Sequence, residues 1–237
     1  MNKDLDSLRE KVAADYDAVA DEWDRTRQAA WGEFSFLGEM LKQTCLSGRQ
    51  VQHGKLKILD AGCGNGRLVK WLDAKLTSYE YLGVDNSVEL LKKAQQNCPV
   101  CKFQKADLVE FCQPESFDLV TCVAVLHHLP SRDDRLRVLY NLKNSLKPGG
   151  RLFLTVWNLW QPRYLKYVLK SYLTGQLREC QIPFARQVSR YVHAFTASEL
   201  LGLLEQAGFS QVDVFGANKE NKAGVFSARN IVAIVQR

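Results

Sequence analysis

The 237-residue chain is predicted to be an α/β protein: a seven-stranded, doubly wound sheet with one antiparallel strand, an N-terminal helical cap and an insert after strand five. Three observations carry that prediction. From residue 56 onward, short apolar runs alternate with helical stretches, the pattern of successive βαβ units. Three of the runs end on an acid, at Asp60, Asp85 and Asp107. The first leads directly into Gly62, Gly64 and Gly66, a loop where backbone can approach a ligand closely.

Residues 4–24 read as one helix with Val12, Tyr16, Val19, Ala20 and Trp23 on a stripe. A second helix, about 33–44, precedes a polar linker at 47–55. Residues 1–50 thus form the cap and 51–237 the main domain, with its insert at 158–195. Leu56 to Leu59 is the first strand, and Leu68, Val69, Trp71 and Leu72 mark the helix after the glycine loop. The second strand is 81–84, its helix 87–96, and the third strand 102–106. Lys102 and Lys105 on that outermost strand would guard its edge against unwanted pairing.

The fourth strand, 117–123, is uniformly apolar after Asp118, as a strand covered on both faces should be. A helix at 131–146 is closed by Lys147-Pro148-Gly149-Gly150, read as a stop and turn before strand five at 151–157. Thr196-Ala197-Ser198-Glu199 is a capping box, opening a helix that Gly208 ends. The last two strands, 211–215 and 230–235, have a short connection, which predicts a hairpin and hence the antiparallel strand.

At 46% hydrophobic residues the chain can fill a core, and it holds no 18-residue apolar run that would span a membrane. Its polar, acidic N-terminus shows no signal-peptide pattern. The seven cysteines lie mostly in apolar contexts, so reduced thiols of a cytoplasmic protein are expected. Cys98, Cys101 and Cys112 lack a fourth ligand at useful spacing, so no metal is expected.

The net charge of +6 is unevenly spread. The insert carries Arg163, Lys166, Lys170, Arg178, Arg186 and Arg190 against Glu179 alone, interleaved with Trp160, Tyr164, Tyr167, Tyr172, Phe184 and Tyr191. Cations mixed with aromatics suit a polyanion with stacking bases. The same pattern would arise from an amphipathic helix with a solvated basic face.

In a doubly wound sheet the ligand lies outside the carboxyl ends of the strands. A dinucleotide loop needs a third glycine where this chain has Arg67. The spacing found here, led by an acid at the strand end, instead resembles the S-adenosylmethionine loop of class I methyltransferases, which are Rossmann-like. That resemblance implies S-adenosyl-L-methionine as cofactor. Asp60 and the amides of Gly62, Cys63, Gly64 and Gly66 would then face its amino-acid part and ribose. Asp85 and Asn86 would serve the ribose hydroxyls; Ala106, Asp107 and Leu108 would serve the adenine; Val123 would lie under the sulfonium. The Asn/Asp-Pro-Pro-Tyr and Pro-Cys signatures of base-amine and pyrimidine-carbon methylation are absent. His127-His128 stands there instead, either to hold or deprotonate an acceptor or to pack beneath the cofactor loop.

Longer segments are similar to one branch, the eukaryotic tRNA wobble-uridine methyltransferases that esterify 5-carboxymethyluridine. They are Tyr16-Asp17-Ala18-Val19-Ala20 with Thr26-Arg27 and Trp31, then Ala124 to His128, Trp157-Asn158-Leu159-Trp160-Gln161, and Arg190-Tyr191-Val192-His193. Arg229-Asn230 fits loosely. The chain departs from the family's Trp-Pro at Trp31-Gly32, has Val192 for a tyrosine, and has a shorter insert than the yeast-type enzymes. The resemblance implies tRNA as substrate and a small zinc-binding activator subunit as partner. It would give Arg27 and Arg190 the task of orienting a carboxylate acceptor, His127 a place beside it, and Tyr16 that of closing over the cofactor. Each has a plainer alternative: Arg27 as a helix cap, Arg190 as a phosphate contact, Tyr16 and His127 as packing. A methyltransferase for a small acid, phenol or quinone precursor, and a non-catalytic cofactor- or RNA-binding scaffold, are the other readings.

Overall fold

The computed structural model describes residues 3–27, 31–46, 55–184 and 188–237. The linker expected at 47–55 and the cation Arg186 lie largely or wholly outside them. Helices α1 (Lys3–Ala18), α2 (Ala20–Thr26) and α3 (Phe34–Leu46) come first. Strand β1 (Leu56–Ala61), α4 (Arg67–Asp73), β2 (Tyr79–Asp85), α5 (Val88–Asn97), β3 (Lys102–Lys105) and β4 (Phe117–Val123) make the first half of the sheet. A 3-10 turn (Leu126–His128), α6 (Arg132–Ser145) and β5 (Leu146–Trp157) follow. The insert is α7 (Pro162–Leu173) with strands β6 (Glu179–Phe184) and β7 (Val188–His193). The chain closes with α8 (Ala197–Gln206), β8 (Ser210–Asn218), β9 (Asn221–Lys222) and β10 (Asn230–Gln236).

The sheet order is β3-β2-β1-β4-β5-β10-β8-β9, with β10 antiparallel to both β5 and β8. It is the expected doubly wound sheet with one correction: the connection before β10 adds β9 as an eighth, two-residue strand. Strand β3, with its two lysines, is an edge.

Alternation along the central strands builds two cores, because successive side chains leave opposite faces. Leu59, Val120, Leu152, Leu154 and Ala233 pack with α6 and α8 through Leu139, Leu142 and Leu203. Their neighbours Ile58, Leu119, Phe153 and Val232 pack on the other face with α4 and with Phe34, Leu37 and Met40 of α3. A third, smaller cluster lies between α7 and the β6–β7 ribbon, around Val168, Ile182 and Val192.

Three local expectations need correction. The single N-terminal helix breaks at Val19, which leaves helical geometry (φ −116°, ψ 11°) and redirects α2 across the strand ends. Lys147 to Gly150 stay within β5: α6 stops at Ser145, and Gly149 (φ 77°) sits where the β4–β5 register shifts. Cys98 and Cys101 form a disulfide between the end of α5 and the start of β3, so these two are not free thiols. Among the described cysteines, Cys63, Cys112, Cys122 and Cys180 are free.

Candidate active site

A cavity opens at the carboxyl ends of β1, β2 and β4, roofed by α1 and α2. Its lining brings together Tyr16, Asp60, Gly62, Cys63, Gly64, Asp85, Asn86, Ala106, Asp107, Leu108 and Val123. Gly66 is set back from it, turning the loop into α4 against Ala94 and Phe103. All three loop glycines have positive φ. At Gly62 (φ 79°) a Cβ would also lie 2.1 Å from a Val125 methyl, so both conformation and space demand glycine. Ala124, with φ 58°, is a strained non-glycine residue in the same wall.

The acids hold the cavity's shape. Asp85 accepts from the Gly64 amide at 2.8 Å and the Ser87 amide at 2.9 Å, tying the glycine loop to the start of α5. Burial raises its pKa against these bonds. Asp60 accepts from the Thr121 hydroxyl at 2.7 Å and the Tyr81 hydroxyl at 2.8 Å, and burial pushes its carboxyl up to about 6. Asp107 accepts from the Val109 amide at 2.9 Å and from Arg9 Nε at 3.2 Å. Arg9 also donates to Asp134 at 2.9 Å, so α1 is pinned at this end of the cavity.

The roof is fastened at two further points. Asp17 accepts from the Ser87 hydroxyl at 2.5 Å and the Glu89 amide at 3.1 Å. Tyr16 meets His128 Nε2 at 2.7 Å, while His128 Nδ1 meets the Tyr191 carbonyl at 2.8 Å. A carbonyl only accepts, so Nδ1 carries the proton and the Tyr16 hydroxyl donates to Nε2. Burial lowers the His128 pKa to about 4 and raises that of Tyr16 against the pull of Arg190. Arg9, Asp17, Trp23 and Ser87 escaped the sequence reading as site-forming residues. Trp23 had a local signal in its place on the helical stripe, and Asp17 in its place beside Tyr16 in the Tyr16–Ala20 block.

His128, not His127, lines this cavity. His127 is fully buried behind it, its ring stacked on Trp157 at 5.3 Å and its Nδ1 accepting from the Trp157 amide at 3.3 Å. Its pKa falls well below 6.5, chiefly through burial and then the neighbouring His128 and Arg190.

Arg27 and Arg190 line a second cavity with Trp157, Arg163, Tyr164, Lys166, Tyr167 and Phe184. Trp23 belongs to the lining of the first cavity and also meets both arginines, at 4.7 Å from Arg27 and 6.0 Å from Arg190. It is therefore the partition between the two spaces. Arg190 is 5% exposed and packs on the rings of Phe184 (4.1 Å) and Trp157 (4.5 Å). Its Nε and Nη1 are buried with no hydrogen-bond partner among the described residues. A buried guanidinium with unpaired donors is costly, and an anion in this cavity would satisfy it.

Strand β7 is held from behind by charge. His193 places its two ring nitrogens 2.8 Å from Glu179 and 2.8 Å from Glu199. Burial would raise both carboxylates, but the His193 contacts hold them below the ordinary range. Arg178 bonds Glu199 at 2.7 Å, and Tyr191 bonds Glu179. The ribbon carrying Arg190 is thus locked to α8.

The fold and the paired cavities define a Rossmann-like α/β protein with a ligand cavity at its strand ends. Residues 59–152 match a family described as a methyltransferase domain. The chain is 31% identical over 181 residues to a ubiquinone biosynthesis O-methyltransferase of Pseudomonas putida, covering 68% of this chain and 72% of that one. It is 32% identical over 164 residues to an Arabidopsis thaliana tRNA (carboxymethyluridine(34)-5-O)-methyltransferase, covering 65% of this chain. The chain spans 36% of that plant protein, and 28% of an uncharacterised Synechococcus protein to which it is 38% identical.

A SAM-dependent methyltransferase structure from Methanosarcina mazei aligns at TM-score 0.64 and 23% identity over 78% of this chain and 93% of its own. A Haloferax volcanii methyltransferase solved with the Trm112 activator aligns at TM-score 0.60 and 16% identity over 95% and 96%. The chain belongs to the S-adenosylmethionine-dependent methyltransferases.

Proposed function

We propose that this enzyme methylates the carboxylate of a carboxymethyl-modified wobble uridine in tRNA. The observation that carries the reading is Arg190, buried in an aromatic cavity with two unpartnered donors and in contact with Trp23, which also lines the cofactor cavity. Arg27 lines the same space, its charge disfavoured by burial and by Arg190 itself. Two cations so placed favour a bound carboxylate. A carboxylate is already ionised at neutral pH, so no base is required. The chain's work is then to hold the acceptor in line and exclude water.

When bound, S-adenosylmethionine supplies an electrophilic methyl group. Asp85 and Asn86 would hold its ribose, Asp107 with Ala106 and Leu108 its adenine, and Asp60 with the loop amides its amino-acid end. The open glycine loop and the three acids around one cavity fit that molecule. Tyr16 and His128 close the roof, and His127 backs Trp157. The N-terminal cap is read as α1 and α2, and the acceptor-binding insert as residues 158–195. Among the described residues no helix is long and apolar enough to cross a membrane, and the proposed setting is the cytoplasm. The Haloferax and Arabidopsis likenesses support a small activator subunit and tRNA as partners.

A second reading has its own observation. The unprotonated Nε2 of His128, which accepts from the Tyr16 hydroxyl, could take a proton relayed through that hydroxyl from a phenol, as a quinone-precursor O-methyltransferase requires. The test is to incubate the protein with methyl-labelled cofactor and total tRNA from a strain lacking the gene, then identify the labelled nucleoside. Label in a wobble-uridine methyl ester is expected. Label only in a small molecule of a metabolite extract, with the activator subunit present in both assays, would overturn the tRNA reading.

A further inference from the structure

We propose that the rings of Trp157 and Tyr164 form a slot for one planar base turned out of its strand, with Arg163 and Arg229 receiving the phosphates beside it. This rests on the RNA reading and deepens it from a carboxylate site to a nucleotide site. The two rings are nearly parallel, at 13°, with centroids 6.3 Å apart. A ring in contact with both faces needs two stacking layers of about 3.4 Å each. The centroid separation falls short of that, so the two rings must part for a base to enter.

The surroundings suit such a guest. The Trp157 ring is stacked on His127 and also carries the Arg190 guanidinium at 4.5 Å, so it forms a fixed wall. Tyr164 stands in the first turn of α7. Neither the Trp157 indole nor the Tyr164 hydroxyl makes a hydrogen bond among the described residues, and both side chains are half-buried, so their polar tips can meet a ligand. The pair borders two cavities at once. One is the space holding Arg27 and Arg190; the other is lined by Gln161, Arg163, Arg229 and Asn230. A base in the slot would turn its carboxylate-bearing edge toward Arg190 and its sugar–phosphate edge toward Arg229. Arg229 is exposed and has no acidic partner among the described residues. Aromatic stacking of an unpaired base with flanking cations is the common way proteins hold single-stranded RNA.

The probes are an anticodon stem–loop carrying 5-carboxymethyluridine at the wobble position and the free 5-carboxymethyluridine nucleoside, each assayed with the activator subunit. Tyr164→Ala should raise KM about 5- to 100-fold for both, the range expected for one lost stack. Tyr164→Phe should stay near wild type. Arg229→Ala should raise KM for the stem–loop alone and reduce its salt slope by about one. Cofactor affinity should be unchanged in all three, which separates these effects from misfolding. If the wild type methylates the stem–loop but Tyr164→Ala and Arg229→Ala leave its KM unchanged, the slot is overturned. If the wild type methylates neither probe, it is the RNA reading that falls.

Discussion

The Tyr16 hydroxyl donates to Nε2 of His128 across 2.7 Å, joining side chains 112 positions apart in the chain. One bond thereby fixes the tautomer of a histidine at the strand-four exit and the position of the helix that roofs the cofactor cavity. Tyr16→Phe removes the donor and leaves a buried nitrogen bare. It should cost about 1–2 kcal/mol of stability by chemical denaturation and weaken cofactor binding. No change in either would show that the roof is not latched here.

His128 is held near pKa 4, chiefly by burial. Its unfolded-state value is about 6.5, so between those values the unfolded chain binds the extra proton and the folded one does not. Stability should therefore fall as pH drops from about 6.5 toward 4, by roughly 1.4 kcal/mol per unit from this group alone. His128→Asn should flatten that part of the profile. A slope identical to wild type would exclude His128 as its source.

Asp60 has the opposite sign. Burial raises its carboxyl to about 6, so folding favours the protonated form, and this contribution is lost as pH rises from about 3.8 through 6. A cationic ligand group beside it favours the ionised form. Cofactor affinity, measured calorimetrically, should weaken as pH falls below about 6, and Asp60→Asn should bind weakly with no such dependence. A pH-independent wild type would remove Asp60 from the cofactor's cationic end.

Asp85→Ala should weaken cofactor binding by about 1–3 kcal/mol, because it removes ligand contacts and frees the Gly64 and Ser87 amides it now holds. Asp85→Asn, which keeps an acceptor oxygen, should lose less. Equal dissociation constants for all three forms would place the ribose elsewhere.

The Cys98–Cys101 disulfide predicts five titratable thiols from seven cysteines in the unfolded, unreduced protein. Closing so short a loop stabilises by about 2 kcal/mol in the chain-entropy account, and Cys98→Ser with Cys101→Ser should lose no more than that. Seven thiols would show the pair to be reduced.

What the sequence made legible was what lies close in sequence. The acids at 60, 85 and 107 each follow an apolar run, and the glycines at 62 and 64 abut the first, so strand-end geometry alone gathers them around one cavity. The capping box opened by Thr196 was equally local. The Arg9 contacts were not, because no pattern near Arg9 points to residues 98 and 125 positions away. The break at Val19 was hidden because its apolar stripe continues unbroken past it. The exchange of places between His127 and His128 depends on a 3-10 turn, which rotates adjacent side chains apart. For Cys98 and Cys101 the spacing was visible, but an expectation drawn from the cytoplasm outweighed it.

Helix α1 precedes in the chain every element it is bonded to, yet it has almost nothing of its own to hold. Its bonds run to His128, to Ser87, and through Arg9 to Asp107 and Asp134, residues made 70 to 125 positions later. Such distant pairings form late in folding, after the loop between them has been closed. The roof of this enzyme is therefore made before the site it covers and fitted after it. A nascent chain stalled before residue 87 carries α1 undocked and exposed to chaperones, with the site it will cover still incomplete.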